Sequence, residues 1–205
     1  KRLLDQCFEC LLEERPLRSI ELKPAEWRLL RGFSFVTSKP EIILLNLDDS
    51  QSDETKIPKW NELKKRADEQ GVKLCTLYGS LEMDIAELDE EEAAAFTEGL
   101  DITEPGRERL IEEAYRVLGL ISFFTCGPDE VRAWTLRAGD NAVDAAGAIH
   151  SDLARGFIRA QVVAFEDYKQ HASSFDECRK AGCLRLEGKE YLVKDGDIIE
   201  IRFNV

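Results

Sequence analysis

Two short polar stretches carry the side chains best placed to bind a ligand. Residues 46–49 read NLDD and follow the apolar run 41–45, and residues 78–82 read YGSLE and follow the run 72–77. Each run predicts a buried strand. Open α/β sheets bind ligands at the carboxyl ends of their strands, and amide and carboxylate groups there can hydrogen-bond to a ligand.

The same side chains also have a purely structural interpretation. Asn and Asp are common in turns, so Asn46 and Asp49 would only satisfy the strand end. Ser80 would cap a helix that follows it, and Gly79 would let the backbone approach closely. A four-residue pattern is weak evidence, so from the residues alone the structural interpretation is favoured.

The two histidines give little support for catalysis. His150 precedes Ser151-Asp152, but the sequence places no nucleophile beside this His–Asp pair. General-base catalysis needs a defined geometry. We therefore expect His150 to belong to a structural loop or a recognition surface.

The six cysteines are expected to be reduced thiols, mostly buried. Cys7-x-x-Cys10 lies in a helical pattern with no second CxxC or histidine pair nearby, whereas zinc motifs usually have such a second half. We therefore predict no metal site. Pairing of Cys178 with Cys183 is the weaker alternative.

A phosphate-binding motif of the form GxxxxGK[ST] does not occur in the sequence. In P-loop enzymes its Lys and Ser/Thr hold the nucleotide phosphates and Mg²⁺. The chain alone is therefore predicted not to hydrolyse a nucleotide.

The elements around the polar stretches form a predicted strand–helix–strand unit. A strand over 41–46, a helix over 58–70 ended by Gly71 and a strand over 72–77 make one βαβ unit. The first strand is nearly all apolar, so we expect it to be buried on both faces, as in a parallel sheet, and we expect the second strand to be buried as well. Two strands are too few for a stable sheet, which predicts missing partner strands.

Helices and a second strand-rich region account for the rest of the chain. Helical patterns cover 1–14, 24–31, 84–96 and 108–118. From residue 121 onward the pattern gives strands at 123–125 and 131–136, a helix at 142–149, a strand at 157–165, a polar insert, and closing strands between 184 and 205 with a turn at Asp195-Gly196. This is the order of a β-grasp, or ubiquitin-like, domain.

Composition sets outer limits on partners and location. The net charge of −13 over 205 residues repels nucleic acid on average, although Arg132, Arg137, Arg155 and Arg159 make one region locally basic. No run approaches the roughly 20 apolar residues that span a bilayer. We therefore expect a cytoplasmic protein without a membrane partner.

Three long motifs carry a resemblance to a known family. Residues 125–139 (TCGPDEVRAWTLRAG), 144–163 (DAAGAIHSDLARGFIRAQVV) and 194–205 (KDGDIIEIRFNV) resemble the C-terminal TGS domain of the YchF, or Obg-like, P-loop ATPases. The similarity continues through 74–120 and more loosely back to Leu17. Nearly the whole chain is covered.

The resemblance implies a three-part organisation. Residues 1–33 would be the end of a helical-hairpin (coiled-coil) insert, 34–120 the C-terminal half of a P-loop α/β nucleotide-binding domain, and 121–205 a β-grasp TGS domain. The chain would then begin partway along the returning arm of the hairpin. The outgoing arm and the P-loop half would be absent.

The resemblance also implies a base-recognition role for the polar stretches. Related GTPases carry N-K-x-D after this strand, and the YchF family is similar but reads N-x-x-E. Asn46 fits both patterns, Leu47 fits the YchF pattern and Asp49 fits the GTPase pattern, so ATP and GTP both stay open. Ser80 and Leu81 resemble the loop that packs against the base through backbone amides.

The remaining implications concern partners. The parent protein would use ATP or GTP with Mg²⁺, whereas this fragment would require no cofactor. It would act as a slow, nucleotide-dependent switch on the ribosome, with Arg132, Arg155 and Arg159 facing RNA. The incomplete sheet predicts a homo-oligomer, since unpaired edges recruit other chains. The alternative is a TGS-based protein- or RNA-binding module with no nucleotide role.

Overall fold

The computed structural model of the chain describes residues 1–48, 57–99, 106–127 and 130–204. The chain divides into two compact units, Lys1–Leu118 and Gly119–Val205. The finer division of the first unit at residue 33 stays a prediction. Within the described ranges, no helix is both long and apolar enough to cross a membrane.

The first unit begins with two helices that share a small core. Helix α1 spans Arg2–Leu12 and helix α2 spans Pro24–Leu30, close to the predicted segments. Cys7 and Cys10 of α1 are buried against Leu17 and Leu30. The predicted CxxC pair therefore contributes to packing, as its helical spacing indicated.

The predicted βαβ unit is present. Strand β1 (Ile42–Asn46) and strand β2 (Lys73–Leu77) pair in parallel, and helix α3 (Trp60–Glu69) lies between them in sequence. The prediction that β1 is buried on both faces is wrong, because its Leu44 remains 39% exposed. Among the described residues this sheet has two strands, which leaves part of its apolar surface uncovered.

Among the described residues, three more helices complete the first unit. They are α4 (Gly79–Ala86), α5 (Glu90–Gly99) and α6 (Gly106–Leu118). The single helix predicted over 84–96 is wrong, because Asp89 accepts hydrogen bonds from the amides of Glu91 and Glu92 and so starts a new helix. Helix α6 is tied to β2, since Arg109 donates to the Thr76 carbonyl at 2.8 Å.

In its described residues, the second unit is a five-stranded sheet with helices on it. In chain order its elements are β3 (Leu120–Cys126), β4 (Val131–Arg137), α7 (Ala142–Ile149), α8 (Ser151–Arg155), β5 (Phe157–Ala164), α9 (Phe165–Gln170), α10 (Phe175–Ala181), β6 (Arg185–Glu187) and β7 (Asp197–Phe203). The strand order is β4-β3-β7-β5-β6. Strand β7 therefore lies between β3, to which it is parallel, and β5, to which it is antiparallel.

Helix α7 covers one face of this sheet. Its Ala145 and Ala146 are fully buried and pack in one cluster with Phe123, Val162 and Ile199. Small residues on the helix let it approach the sheet closely. The helix begins at Asn141, whose side chain accepts from the amides of Val143 and Asp144.

Two parts of the second unit differ from the sequence expectations. The polar insert folds into the short helices α9 and α10. The closing strand predicted through Tyr191 and Val193 is wrong beyond Glu187, because this segment bonds to the loop before α7 instead. Tyr191 accepts from Ala142 (2.9 Å), and Val193 donates to Asp140 (3.1 Å).

A buried carboxylate organises the turn before β7. The side chain of Asp197 is 3% exposed. It accepts from the Tyr191 hydroxyl (2.7 Å), the Lys194 amide (2.9 Å) and Arg185 Nη2 (3.3 Å). Buried charge is tolerated when it is paired and hydrogen-bonded in this way.

This network predicts a loss of stability in alkali. Burial, followed by the hydrogen bond to Asp197, raises the pKa of Tyr191 from 10.0 to about 12. The folded chain therefore holds the phenol proton more tightly than the unfolded chain. Its stabilising effect is complete below pH 10 and is lost as the pH rises towards 12. Urea unfolding at several pH values should show this decline, and Tyr191→Phe should reduce it. An unchanged decline in Tyr191→Phe would assign it to other groups.

Candidate functional site

The carboxyl end of β1 meets the start of α4 through one side chain. Asn46 lies opposite Leu77 in the parallel register, so both strands end at the same edge of the sheet. The exposed Asn46 accepts a hydrogen bond at Oδ1 from the Gly79 amide (2.9 Å). A Cβ atom on residue 79 would lie 2.7 Å from that oxygen. The absence of a side chain at Gly79 therefore lets the backbone approach the Asn46 side chain closely.

The other predicted base-binding residues lie along the same edge. Leu47 is 9% exposed, and its amide donates to the Leu77 carbonyl (2.8 Å), so it extends the strand pairing. Ser80 is exposed and Leu81 half-buried, both in the first turn of α4. The prediction that Ser80 caps this helix is wrong, because the cap position is Tyr78. Asp49 lies outside the described residues.

This edge can offer hydrogen-bond donors to a ligand. The amides in the first turn of a helix have no acceptor within the helix, and Ser80 and Leu81 occupy that turn. Because the Oδ1 atom of Asn46 accepts from Gly79, its Nδ2 group is left as the donor end of the amide. An aromatic base with ring nitrogens and carbonyl oxygens would match such donors.

The structure does not bring the three predicted RNA-facing arginines into one patch. Arg132 stacks on Trp134, 4.3 Å from the ring centroid, on the sheet face that carries α7. Arg159 alternates with the buried Ala160 and therefore points to the opposite face. Arg155, in α8, forms an ion pair with Asp152.

A different group of arginines accompanies Arg159. Arg159 lies directly opposite Arg202 in the β5–β7 register, and both side chains are exposed. With the Gln161 amide oriented to satisfy its neighbours, its oxygen accepts from Arg202 Nη2 (2.8 Å) and Arg179 Nη2 (3.2 Å). We call Arg159, Arg179 and Arg202 the Arg159 cluster. Sequence reasoning missed it because its members come from three separate elements.

His150 has a structural role. Its Nδ1 atom accepts from the Asp152 amide (3.2 Å) and so caps α8. This contact matches the structural-loop interpretation of the His–Asp pair.

A second cluster that sequence reasoning missed lies between α9 and α10. His171, Cys178 and Cys183 each offer one metal-ligating atom, and these three atoms lie within 4.8 Å of one another. All six cysteines of the chain are free thiols. Burial, then the hydrogen bond with Cys183, raises the pKa of Cys178 to about 11. The available signal was the local grouping of His171 with the two cysteines.

Comparison with known proteins identifies the relatives of the chain. Residues 120–204 match the family model YchF-GTPase_C, described as a protein of unknown function (DUF933). Over 207 residues the chain is 40% identical to the ribosome-binding ATPase YchF of Bacillus subtilis (strain 168), covering 99% of this chain and 56% of that protein. The chain belongs to the YchF family. The YchF protein of Escherichia coli O157:H7, also described as a ribosome-binding ATPase, is 38% identical over 203 residues, with 99% and 55% coverage.

Solved structures agree with this relationship. The Schizosaccharomyces pombe YchF GTPase matches with a TM-score of 0.83 and 30% identity, covering 98% of this chain and 53% of that one. A GTP-binding protein from Pyrococcus horikoshii OT3 shares the fold, with a TM-score of 0.59 at 18% identity over 87% of this chain and 56% of that one. The mixed α/β fold is thereby confirmed. The chain spans about half the length of the curated YchF relatives it matches.

Proposed function

We propose that this chain supplies the base-recognition side of the nucleotide site of a YchF-type ATPase, together with a ribosome-contacting TGS domain. The observation that carries the first part is the contact between Asn46 and the Gly79 amide (2.9 Å), which fixes a polar side chain at the carboxyl edge of a parallel sheet. The names of the YchF relatives support the activity, as ATPase or GTPase.

The phosphates and Mg²⁺ would be held elsewhere in the parent protein. The sequence has no GxxxxGK[ST] motif, so the chain by itself should bind a base weakly and hydrolyse nothing. The slow ATP or GTP hydrolysis and the switch function belong to the longer protein in this proposal. The parent would work in the cytoplasm, where ribosomes are.

Calorimetric titration of the chain with Mg²⁺–ATP and Mg²⁺–GTP tests the base-recognition role. We expect a dissociation constant on the order of 1 mM, because few contacts remain without a phosphate cradle. The substitution Asn46→Ala should weaken binding about fivefold, the effect of losing roughly 1 kcal/mol of hydrogen bonding. The tighter-binding nucleotide would reveal the base preference.

Asn61→Ala is the matched control, because Asn61 is an exposed asparagine on α3. Its substitution should leave nucleotide affinity unchanged. Equal losses in the two variants, or no detectable binding by the unmodified chain, would contradict a preformed base site at Asn46.

The second unit supports the ribosome-contacting part. Its strand order β4-β3-β7-β5-β6, with α7 across one face, fits the β-grasp arrangement of a TGS domain. The Arg159 cluster is the favoured RNA surface. Two arginines opposite each other on neighbouring strands repel, and phosphate groups would offset that repulsion. If this surface acts without any nucleotide role, the chain is the binding module of our alternative.

The open two-stranded sheet of the first unit supports self-association of the chain. Parallel strands normally have both faces covered, whereas Leu44 is 39% exposed. A second copy would cover this surface. Light scattering at high protein concentration should detect a dimer or larger species, and a uniform monomer would contradict this.

A further inference from the structure

The cluster of His171, Cys178 and Cys183 has the composition and size of a transition-metal site. The distance from Cys183 Sγ to His171 Nδ1 is 4.0 Å, and all three ligand atoms lie within 4.8 Å of one another. A tetrahedral zinc ion, with bonds of about 2.3 Å to sulfur and about 2.0 Å to nitrogen, holds such atoms roughly 3.5–3.8 Å apart. The cluster therefore needs a contraction of about 1 Å or less.

We propose that His171, Cys178 and Cys183 bind one divalent transition-metal ion of the zinc class. Two thiolates and an imidazole form a ligand set that favours zinc over the oxygen-seeking ions magnesium and calcium. This proposal does not rest on the nucleotide and ribosome roles proposed above. It concerns only the segment that links β5 to β6.

The backbone of this segment brings the three ligands together. His171 follows directly after α9, and the next two residues, Ala172 and Ser173, have positive φ angles of 53° and 51° that reverse the chain. Helix α10 then carries Cys178 back towards α9. Gly182, at φ 79°, ends α10, and Cys183 returns with its amide 3.1 Å from the Cys178 carbonyl.

The surroundings orient the ligands and leave one coordination position open. His171 Nδ1 lies 2.7 Å from the Asp167 carbonyl, which can only accept, so the ring donates to it. Nδ1 is also the ring nitrogen that lies 4.0 Å from Cys183 Sγ, so a metal ion bound there would replace the hydrogen bond to Asp167. Cys178 is fully buried, whereas His171 and Cys183 are half-buried. A fourth ligand, such as water, can therefore reach the ion from solvent.

A disulfide between the two cysteines is the competing use of the cluster. Burial of Cys178 shields its sulfur from an oxidant in solution. A metal ion uses all three side chains and displaces the protons of the two thiols when it binds. Bound metal would fasten α9 to α10 and rigidify the insert.

Cobalt titration of the full 205-residue chain tests the proposal. After treatment with chelator and reductant, Co²⁺ should produce thiolate charge-transfer absorption that saturates at one equivalent and disappears when Zn²⁺ displaces it. Cys183→Ser and His171→Asn should each weaken binding at least about tenfold, since even indirect perturbation of a metal site costs that much. Both positions are half-buried, so neither change should unfold the chain.

Cys126→Ser is the matched control, because Cys126 is another half-buried thiol of the second unit. It should leave metal affinity unchanged. Absorption that survives in Cys183→Ser but vanishes in Cys7→Ser would assign binding to the CxxC pair of α1 and overturn the proposal. Failure of the reduced chain to bind Co²⁺ or Zn²⁺ would also overturn the proposal. If mild oxidation of that chain then joined Cys178 to Cys183, the cluster would be a disulfide site instead.

Discussion

Replacing Asp197 with alanine is expected to lower the free energy of unfolding of the second unit by about 3 kcal/mol. Its carboxylate holds three donors, from Tyr191, Lys194 and Arg185. Removing one member of a buried, hydrogen-bonded ion pair costs about 3–5 kcal/mol, because the partners are left buried and unsatisfied. The lower value of this range applies here, since the side chain of Arg185 is 37% exposed and water can partly solvate it.

Urea unfolding, monitored through the protection of the β5 and β7 amides from hydrogen exchange, would measure this loss in the second unit alone. Asp176→Ala is the control, because the ion pair of Asp176 with Arg179 is solvent-exposed and such pairs contribute less than about 1 kcal/mol. Equal losses in the two variants would mean that the Asp197 network does not stabilise the turn before β7.

If the second unit contacts the ribosome as proposed, reversing the charge of the Arg159 cluster is expected to weaken that binding at least about tenfold. Arg159→Glu with Arg202→Glu removes two positive charges that can each neutralise a phosphate. The slope of log affinity against log salt should fall in magnitude by about 2, since each phosphate contact contributes close to one unit. Sedimentation of the chain with ribosomes at several salt concentrations would measure both quantities.

Arg132→Glu with Arg155→Glu is the control with the same change in net charge. Arg132 lies on the opposite face of the sheet, and Arg155 is paired with Asp152. If the interaction is specific to the Arg159 cluster, the ribosome affinity of this control variant should stay close to that of the unmodified chain. If the two double variants lose affinity equally, only the overall charge matters and the Arg159 cluster is not the contact surface.

The sequence predicted the elements whose signals are local. Strands β3 and β4 and helix α7 follow from alternation and helical spacing over 121–149, and the βαβ unit follows from its apolar runs. The break between α4 and α5 also had a local signal in Asp89, which was hidden within an acidic run. Local side-chain chemistry thus accounts for most of the elements.

Features that depend on distant contacts were not predictable in this way. The segment around Tyr191 contacts the loop before α7 rather than forming part of the predicted short strand, and no local pattern encodes that choice. The contact of Asn46 with Gly79 depends on the register of two parallel strands. The Arg159 cluster joins β5, α10 and β7, so alternation along one strand showed only one of its members.

The central position of β7 constrains the order in which the second unit can assemble. Until β7 inserts, the β3–β4 hairpin and the β5–β6 pair are separate two-stranded pieces, which are marginally stable in water. The loop before β7 reaches β3 across 73 residues, from Asp195 to the Ser122 amide. Such long-range closure slows folding. The earlier strands therefore cannot complete the sheet until residues 197–203 are available to insert between β3 and β5.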